Sequence, residues 1–367
     1  MSKIIAIGTA VPAWKHKQAD ILQFMLPAYS LTGTEERKIR FLYHQSAIST
    51  RHSVIPDYSR PIDEWKFYPR SEHLDPFPSL ETRMQWYQRY AAPLSVDAVR
   101  DCIQGTLNTD QITHLITVSC TGMSAPGLDI QLAELLDLPK TIWRSSINFM
   151  GCYAAIHALK LADALCHSDP QARVLLVCTE LCTLHFQREP TTDNIASSLL
   201  FADGSAAALV VPDDEGHKGL LLTHFYSEIV PKGKKDMAWE LSSSGFQMTL
   251  SNFIPSLLGE DFEGLTQRAL QQASMDREQI TDWCIHPGGK KILEVITQSC
   301  HLAQDALAES YEVLNQFGNM SSPTILFVLK QQMQRLSRQY QEPAFIFGAA
   351  FGPGLTMETF IAKDQLH

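Results

Sequence analysis

Three polar side chains stand where a thioester could be held, attacked and rearranged without a metal. Cys152 opens the segment GCYAAIHALKLADAL at its second position, His286 opens HPGGKKIL, and Asn319 is second in GNMSSPTILFVL. A cysteine can take up an acyl group and pass it on. A neutral imidazole N–H and an amide NH2 can both point at the oxygen of a second thioester. There they would stabilise the enolate left when carbon dioxide departs, as preorganised donors do in an oxyanion hole. An imidazole beside a thiol also raises the thiolate fraction. The segment after Cys152 is apolar on nearly every side, which predicts a buried helix with Cys152 at its mouth. A helix start offers unpaired N–H groups and positive potential, so the reading predicts a thiol shifted toward thiolate. The other cysteines read as packed core thiols.

His286 follows the strand-like WCI and precedes Pro287-Gly288-Gly289, a turn at a strand end of the kind that often carries functional groups. Asn319 has a plainer reading as a helix N-cap, but that does not explain why Gly-Asn recurs where Gly-Cys stands in an internal repeat. Papain-like proteases also use Cys, His and Asn in this order. Their cysteine lies near the mature N-terminus within CGSCW, whereas Cys152 lies mid-chain in FMGCY, which sets that reading aside.

The elements that must position these residues come as a duplication. DQITH (110–114) with its apolar run is echoed by EQITD (278–282), FMGC (149–152) by QFGN (316–319), and ARVLLVCTE (172–180) by PAFIFGAAF (343–351), all at an offset of about 170 residues. Each copy reads strand, turn, helix, strand, which predicts an α/β protein of two similar halves. The join is expected in PDDEGHKG (212–219), giving halves 1–212, with the cysteine, and 213–367, with the histidine and asparagine. A pseudo-twofold axis would bring Gly151-Cys152 and Gly318-Asn319 together.

Composition narrows the classes. Of 367 residues, 45% are apolar and 19% charged, as in an ordinary globular protein, and the net charge of -10 argues against a nucleic-acid partner. The start, MSKIIAIGTAVP, reads as a buried strand rather than a signal peptide, and no apolar run approaches the ~20 residues of a membrane span. The eight cysteines show no CxxC pairing, so reduced thiols in a cytoplasmic setting are expected, with neither a disulfide framework nor a metal site.

Four segments in order, GCYAAIHALKLADAL, HPGGKKIL, GNMSSPTILFVL and FGAAFGPGLTMETF, resemble the signatures of chalcone synthase-like type III polyketide synthases. FPSLETRMQWYQRYAAPL (77–94) and VCTELCTLHFQREPTTDNIASSLLFADGSAA (177–207) are similar to the same family, so the resemblance spans nearly the whole chain. It implies a thiolase-like fold of duplicated α/β halves with mixed five-stranded sheets in αβαβα layers. It also implies a homodimer that needs no cofactor beyond its coenzyme A thioesters. Such an enzyme loads a starter acyl-CoA on Cys152 and extends it by decarboxylative Claisen condensation with malonyl-CoA. Related ketoacyl synthases of the same fold perform a single condensation, but lack the C-terminal loop seen here as Gly352-Pro353-Gly354. A noncatalytic partner of this fold is a third reading, which the intact Cys-His-Asn set opposes.

By the same resemblance, the gatekeeper phenylalanine falls on Phe201, and a second gatekeeper appears as Met248. Thr121, Cys182, His185 and Ser321 fall on further pocket positions. A usually small residue appears as Trp239, which either fills the elongation cavity or packs away from it, and a methionine that reaches across the dimer appears as Ala125. The pocket thus departs from the plant pattern. For coenzyme A phosphates the candidates are Lys38, Arg40, Lys290 and Lys291 with Gly288 and Gly289, while Phe41 and Gln45 replace expected basic residues. Arg37 and Arg51 could compensate, and a solvated basic face is the alternative reading for each of these side chains.

Overall fold

Residues 1–71, 73–213, 216–338 and 343–367 are described by a computed structural model. The middle of the expected join, residues 214 and 215, lies outside them. The first half runs β1 (Ser2–Ala10), β2 (Trp14–Lys17), α1 (Gln18–Ala28), α2 (Gly33–Gln45), β3 (Thr50–Ser53) and α3 (Leu80–Ile103). It continues through β4 (His114–Ser119), α4 (Leu128–Leu135), β5 (Trp143–Asn148), α5 (Ala154–Ser168), β6 (Val174–Leu181), α6 (Thr192–Leu200) and β7 (Asp203–Pro212). The second half begins with β8 (Gly219–Ile229), β9 (Met237–Ser242), β10 (Gly245–Leu250), α7 (Ile254–Gln272) and β11 (Asp282–Ile285). It ends with α8 (Lys290–Ser299), α9 (Ala308–Phe317), α10 (Thr324–Leu336), β12 (Phe345–Gly352) and β13 (Thr356–Gln365).

The duplication is visible strand by strand. In the first half β4 and β6 pair parallel, β6 and β7 antiparallel, and β7 and β1 antiparallel. In the second half β11 and β12 pair parallel, β12 and β13 antiparallel, and β13 and β8 antiparallel. The repeated DQIT and EQIT motifs have a physical reason: the Gln of each closes a capping box, Asn108 with Gln111 and Asp276 with Gln279, that turns the chain into β4 or β11. One difference from the expected pair of five-stranded sheets emerges. The sheet order is β11-β12-β13-β8-β1-β7-β6-β4-β5, so among the described residues the second half contributes four strands, and the halves join edge to edge between β8 and β1.

Alternation along the strands sorts the layers. Ile116 and Val118 of β4 and Leu176 and Cys178 of β6 face a central core shared with α5 and α10. Their neighbours Leu115, Leu175 and Val177 face α3 and α4. On the other half, Ile285, Phe347, Ala349 and Ile361 face α7 and α8. β6 is buried along its whole length, as a near-continuous apolar run between two helical layers should be. A fourth cluster joins α1, α2 and the aromatic residues Tyr58, Phe67, Tyr68 and Phe186 over one end of the first half. Among the described residues no helix is long and apolar enough to cross a membrane.

Candidate active site at the junction of the halves

Cys152 sits in the single 3-10 turn 151–153 that leads into α5, in the shared core layer. Gly151 has φ +77, and a Cβ there would come within 2.2 Å of Pro353 Cδ, so only glycine lets the C-terminal loop close over the cysteine. Its N–H donates to Cys120 Sγ at 3.1 Å. Gly352 is bare for a similar reason, since its Cβ would meet the Tyr153 ring at 2.5 Å. Gly354, also in a left-handed conformation, donates its N–H to the Met237 carbonyl at 2.9 Å.

Asn319 is pinned by its backbone rather than by a helix. Its N–H donates to the Leu200 carbonyl and its carbonyl accepts from Ala202 N–H, both at 2.9 Å, on either side of Phe201. Its side-chain Oδ1 accepts from Ser321 N–H at 2.8 Å, while the amide NH2 lies 3.5 Å from the Gly288 carbonyl and also interacts with the Cys152 sulfur. The N-cap of α10 is Pro323, so the capping reading of Asn319 does not hold. Ser321 reaches back, its Oγ 3.5 Å from Cys152 Sγ. His286 leaves the end of β11 with its N–H bonded to the Ala349 carbonyl at 2.9 Å. Its ring is buried, yet neither Nδ1 nor Nε2 has a hydrogen-bond partner. The axis therefore brings Cys152, His286, Asn319 and Ser321 to one cavity.

Burial sets the protonation of this group. It lowers the His286 imidazole to about 3, so the ring is neutral, with one nitrogen free to donate and the other to accept. It pushes the Cys152 thiol up to about 11, helped by the Glu180 carboxylate and opposed by hydrogen bonds from Ser321 and Asn319. Burial thus works against the thiolate that the helix start favours. One helical turn facing the cysteine does not offset withdrawal from water next to an acidic neighbour. His286 lines the same cavity as the thiol, with both ring nitrogens unpaired.

The pocket positions converge on the same cavity: Phe201, Met248, Trp239, Cys182, His185 and Thr121 all line it, as do Gly288 and Pro353. Trp239 and Met248 face each other across the β9–β10 ladder. The indole N–H donates to the Cys120 carbonyl at 2.7 Å, and its ring meets His185 edge-on at 5.6 Å, so Trp239 packs into the cavity wall rather than away from it. His185 is a pillar rather than an open ligand. Its Nε2 donates to the Thr121 carbonyl at 2.7 Å, its Nδ1 accepts from Phe246 N–H at 3.1 Å, and its ring stacks on Phe246 at 4.2 Å. Burial lowers it to about 3, which keeps that tautomer.

Of the basic candidates Arg51 lines this cavity, and Lys38, Arg40, Lys290 and Lys291 do not. Lys38 is exposed on α2, where Arg40 pairs with Glu36 at 2.7 Å. Lys290 and Lys291 open α8 after Gly289 and pair with Glu294 at 3.7 and 3.4 Å. Arg51 is not among the exposed cations. It is 3% exposed, its Nε donates to Gln18 Oε1 at 2.8 Å and its Nη1 to the Phe201 carbonyl at 2.6 Å. Its stem lies under Gly318, where a Cβ would be 2.9 Å from Arg51 Cγ. Its part is to hold the segment on which Asn319 is pinned, and its place within the short β3, just ahead of an apolar stretch, was its sequence hint. Glu180 was also given no role. It is fully buried and accepts from Cys120 N–H at 2.9 Å, Thr121 Oγ1 at 2.7 Å and Ser322 Oγ at 2.9 Å, tying the two halves together behind Cys152. An acidic residue ending the apolar run VLLVCTEL was its signal. Among the described residues no group of His, Cys, Asp and Glu is arranged to hold a metal ion.

Fold and site together define an acyl-transferring enzyme of the polyketide synthase class, and comparison with known proteins agrees. The N-terminal domain of the chalcone and stilbene synthases matches residues 1–214 and their C-terminal domain residues 222–365. The chain belongs to that family and is a type III polyketide synthase. It is 29% identical over 374 residues to probable polyketide synthase 1 of Dictyostelium discoideum, covering 99% of this chain but 11% of that protein's length. It is 27% identical to the alpha-pyrone synthesis polyketide synthase-like Pks18 of Mycobacterium tuberculosis, over 97% of this chain and 89% of that one. The crystal structure of PKS-I from the brown alga Ectocarpus siliculosus superposes with a TM-score of 0.92 at 26% identity, over 99% of this chain and 98% of that one.

Proposed function

We propose that this chain loads a starter acyl group from its coenzyme A thioester onto Cys152 and extends it with malonyl-CoA, releasing or cyclising a short polyketide. The observation that carries this reading is the buried His286 ring with both nitrogens unpaired beside Cys152 and the Asn319 amide. Leaving such groups unpaired is costly, and the cost is recovered when a ligand supplies the partners. In loading, His286 takes the Cys152 proton, the sulfur attacks the thioester carbon, and the departing coenzyme A thiolate receives the proton. In extension, carbon dioxide leaves the malonyl group and the enolate oxygen accepts hydrogen bonds from the His286 N–H and the Asn319 NH2. The enolate carbon then attacks the acyl carbonyl and frees the Cys152 sulfur.

Lys38, Arg40, Lys290 and Lys291 are proposed to meet the coenzyme A phosphates in the cytosol, the pairs to Glu36 and Glu294 exchanging for stronger ones. A homodimer is supported by β5, an edge strand with Trp143 71% exposed. An exposed, unpaired strand edge invites a second copy. Incubation with malonyl-CoA and a panel of acyl-CoAs, with products identified by mass, tests the whole reading. Products carrying two or more malonyl-derived units are expected. Products that stop at one unit would establish a single-condensation synthase instead, and turnover by Cys152→Ala would end the covalent reading.

A further inference from the structure

β2 and β3 pair with each other and stand outside the nine-stranded sheet. This small ladder nevertheless reaches both chain ends that meet at Asn319, the end of α6 from the first half and the end of α9 from the second. The two ends touch in one parallel bridge, Phe201 with Asn319. A single bridge is a weak hold on a side chain that must aim at a reacting atom, so the groups that brace it matter.

Gln18 and Arg51, both buried, brace the α6 end. Arg51 donates from Nη1 to the Phe201 carbonyl at 2.6 Å and from Nε to Gln18 Oε1 at 2.8 Å, and Gln18 Nε2 donates to the Leu199 carbonyl at 2.9 Å. Residues 47–50 brace the α9 end. Ser49 N–H donates to the Asn315 carbonyl at 2.8 Å, Thr50 Oγ1 to the Gln316 carbonyl at 2.7 Å, and Asn315 Nδ2 to the Ala47 carbonyl at 3.1 Å. The two braces are one piece, because Gln18 N–H donates to the Ser49 carbonyl at 2.9 Å. Between them Gly318 has φ +69, and a Cβ there would lie 2.9 Å from Arg51 Cδ and 3.0 Å from the Leu200 carbonyl oxygen. The residue before Asn319 thus packs directly on Arg51.

We propose that Gln18 and Arg51 are positioning residues for the decarboxylation step, which they serve by holding the backbone that aims the Asn319 amide at the enolate oxygen. The inference rests on the donor role of Asn319 in the reading above. Arg51 also lines the cavity and its Nη2 is unpaired, so a direct contact with substrate is the competing account. Gln18 does not line the cavity, and it separates the two accounts because its side chain acts through Arg51 and Leu199. Displacing a reacting group by about 1 Å costs about 100-fold in rate. Loading uses the Cys152 sulfur and His286, which this pair does not hold.

The test measures carbon dioxide release from labelled malonyl-CoA, and the acyl adduct on Cys152 by intact mass, in Gln18→Leu, Arg51→Lys and Asn319→Ala, each checked for folding by circular dichroism. Gln18→Leu should lower kcat for decarboxylation by about 10- to 100-fold, with KM for malonyl-CoA nearly unchanged and loading close to wild type. Arg51→Lys, whose single ammonium cannot reproduce the fork to Phe201 and Gln18, should do the same. In the double variant Gln18→Leu with Asn319→Ala, decarboxylation should be no slower than in Asn319→Ala alone, because the two residues act as one unit. If one of the two bracing variants does not fold, the other carries the test. Loading and decarboxylation falling by one factor, effects that multiply in the double variant, or folded bracing variants that decarboxylate like wild type overturn the inference and leave the role of Asn319 intact. Decarboxylation unaffected by Asn319→Ala overturns both readings.

Discussion

Asn319 offers the sharpest separation between binding and chemistry, because its two side-chain atoms have different tasks. Oδ1 accepts the Ser321 N–H at 2.8 Å and so holds a residue at φ +61, while Nδ2 faces the Gly288 carbonyl and the Cys152 sulfur. Asn319→Ala removes both. The lost acceptor leaves a buried N–H unpaired, at about 1 to 3 kcal/mol of stability. The lost donor removes one of two hydrogen bonds to the enolate, worth about 100- to 1000-fold in rate. Asn319→Asp keeps the acceptor and removes the donor, so it should decarboxylate malonyl-CoA as poorly as the alanine variant while melting closer to wild type. Release of carbon dioxide from labelled malonyl-CoA measures the one step, and intact mass of the acyl-Cys152 adduct measures loading. Loading should change far less than decarboxylation in both variants. If loading and decarboxylation fell by the same factor in Asn319→Asp, the assignment of the amide to the enolate would be refuted.

Three further outcomes follow from the geometry. With the Cys152 thiol pushed up to about 11 by burial, iodoacetamide alkylation of the free enzyme should rise about tenfold per pH unit above neutrality, and a plateau below about pH 8 would show that a thiolate is present at rest. Burial raises Glu180 from 4.5 to about 7, so the folded state binds more protons than the unfolded one between those values, and stability should fall as pH rises through that window by on the order of 3 kcal/mol. Glu180→Gln, whose amide can face Ser322, should flatten that stretch of the melting profile, and an unchanged slope would remove Glu180 as its source. Trp239→Gly should lengthen the polyketides or admit bulkier intermediates, as the indole lines the cavity. An unchanged product spectrum from a folded, active enzyme would show that the space is not used for elongation.

Much of the fold was legible because it is written in local patterns. The apolar run of β6, the all-round apolar face of α5, and the paired capping boxes before β4 and β11 each depend on neighbours within a few residues. Repetition of those patterns announced two halves, and the glycines beside Cys152 and Asn319 marked equivalent turns. The resemblance then placed Phe201, Met248 and Trp239 at the pocket, and the cavity contains all three.

What the sequence could not determine depends on groups far apart in the chain. Whether Cys152 rests as thiol or thiolate turns on how completely α5, α10 and the C-terminal loop remove water, and on a carboxylate, Glu180, delivered by another strand. Arg51 looked like an exposed cation because charge is visible in a sequence and burial is not. Only packing shows it gripping the Phe201 carbonyl from 150 residues away. Composition names the side chains, but long-range contacts decide which of them still have a free hydrogen bond to offer, and that remainder is what a substrate meets.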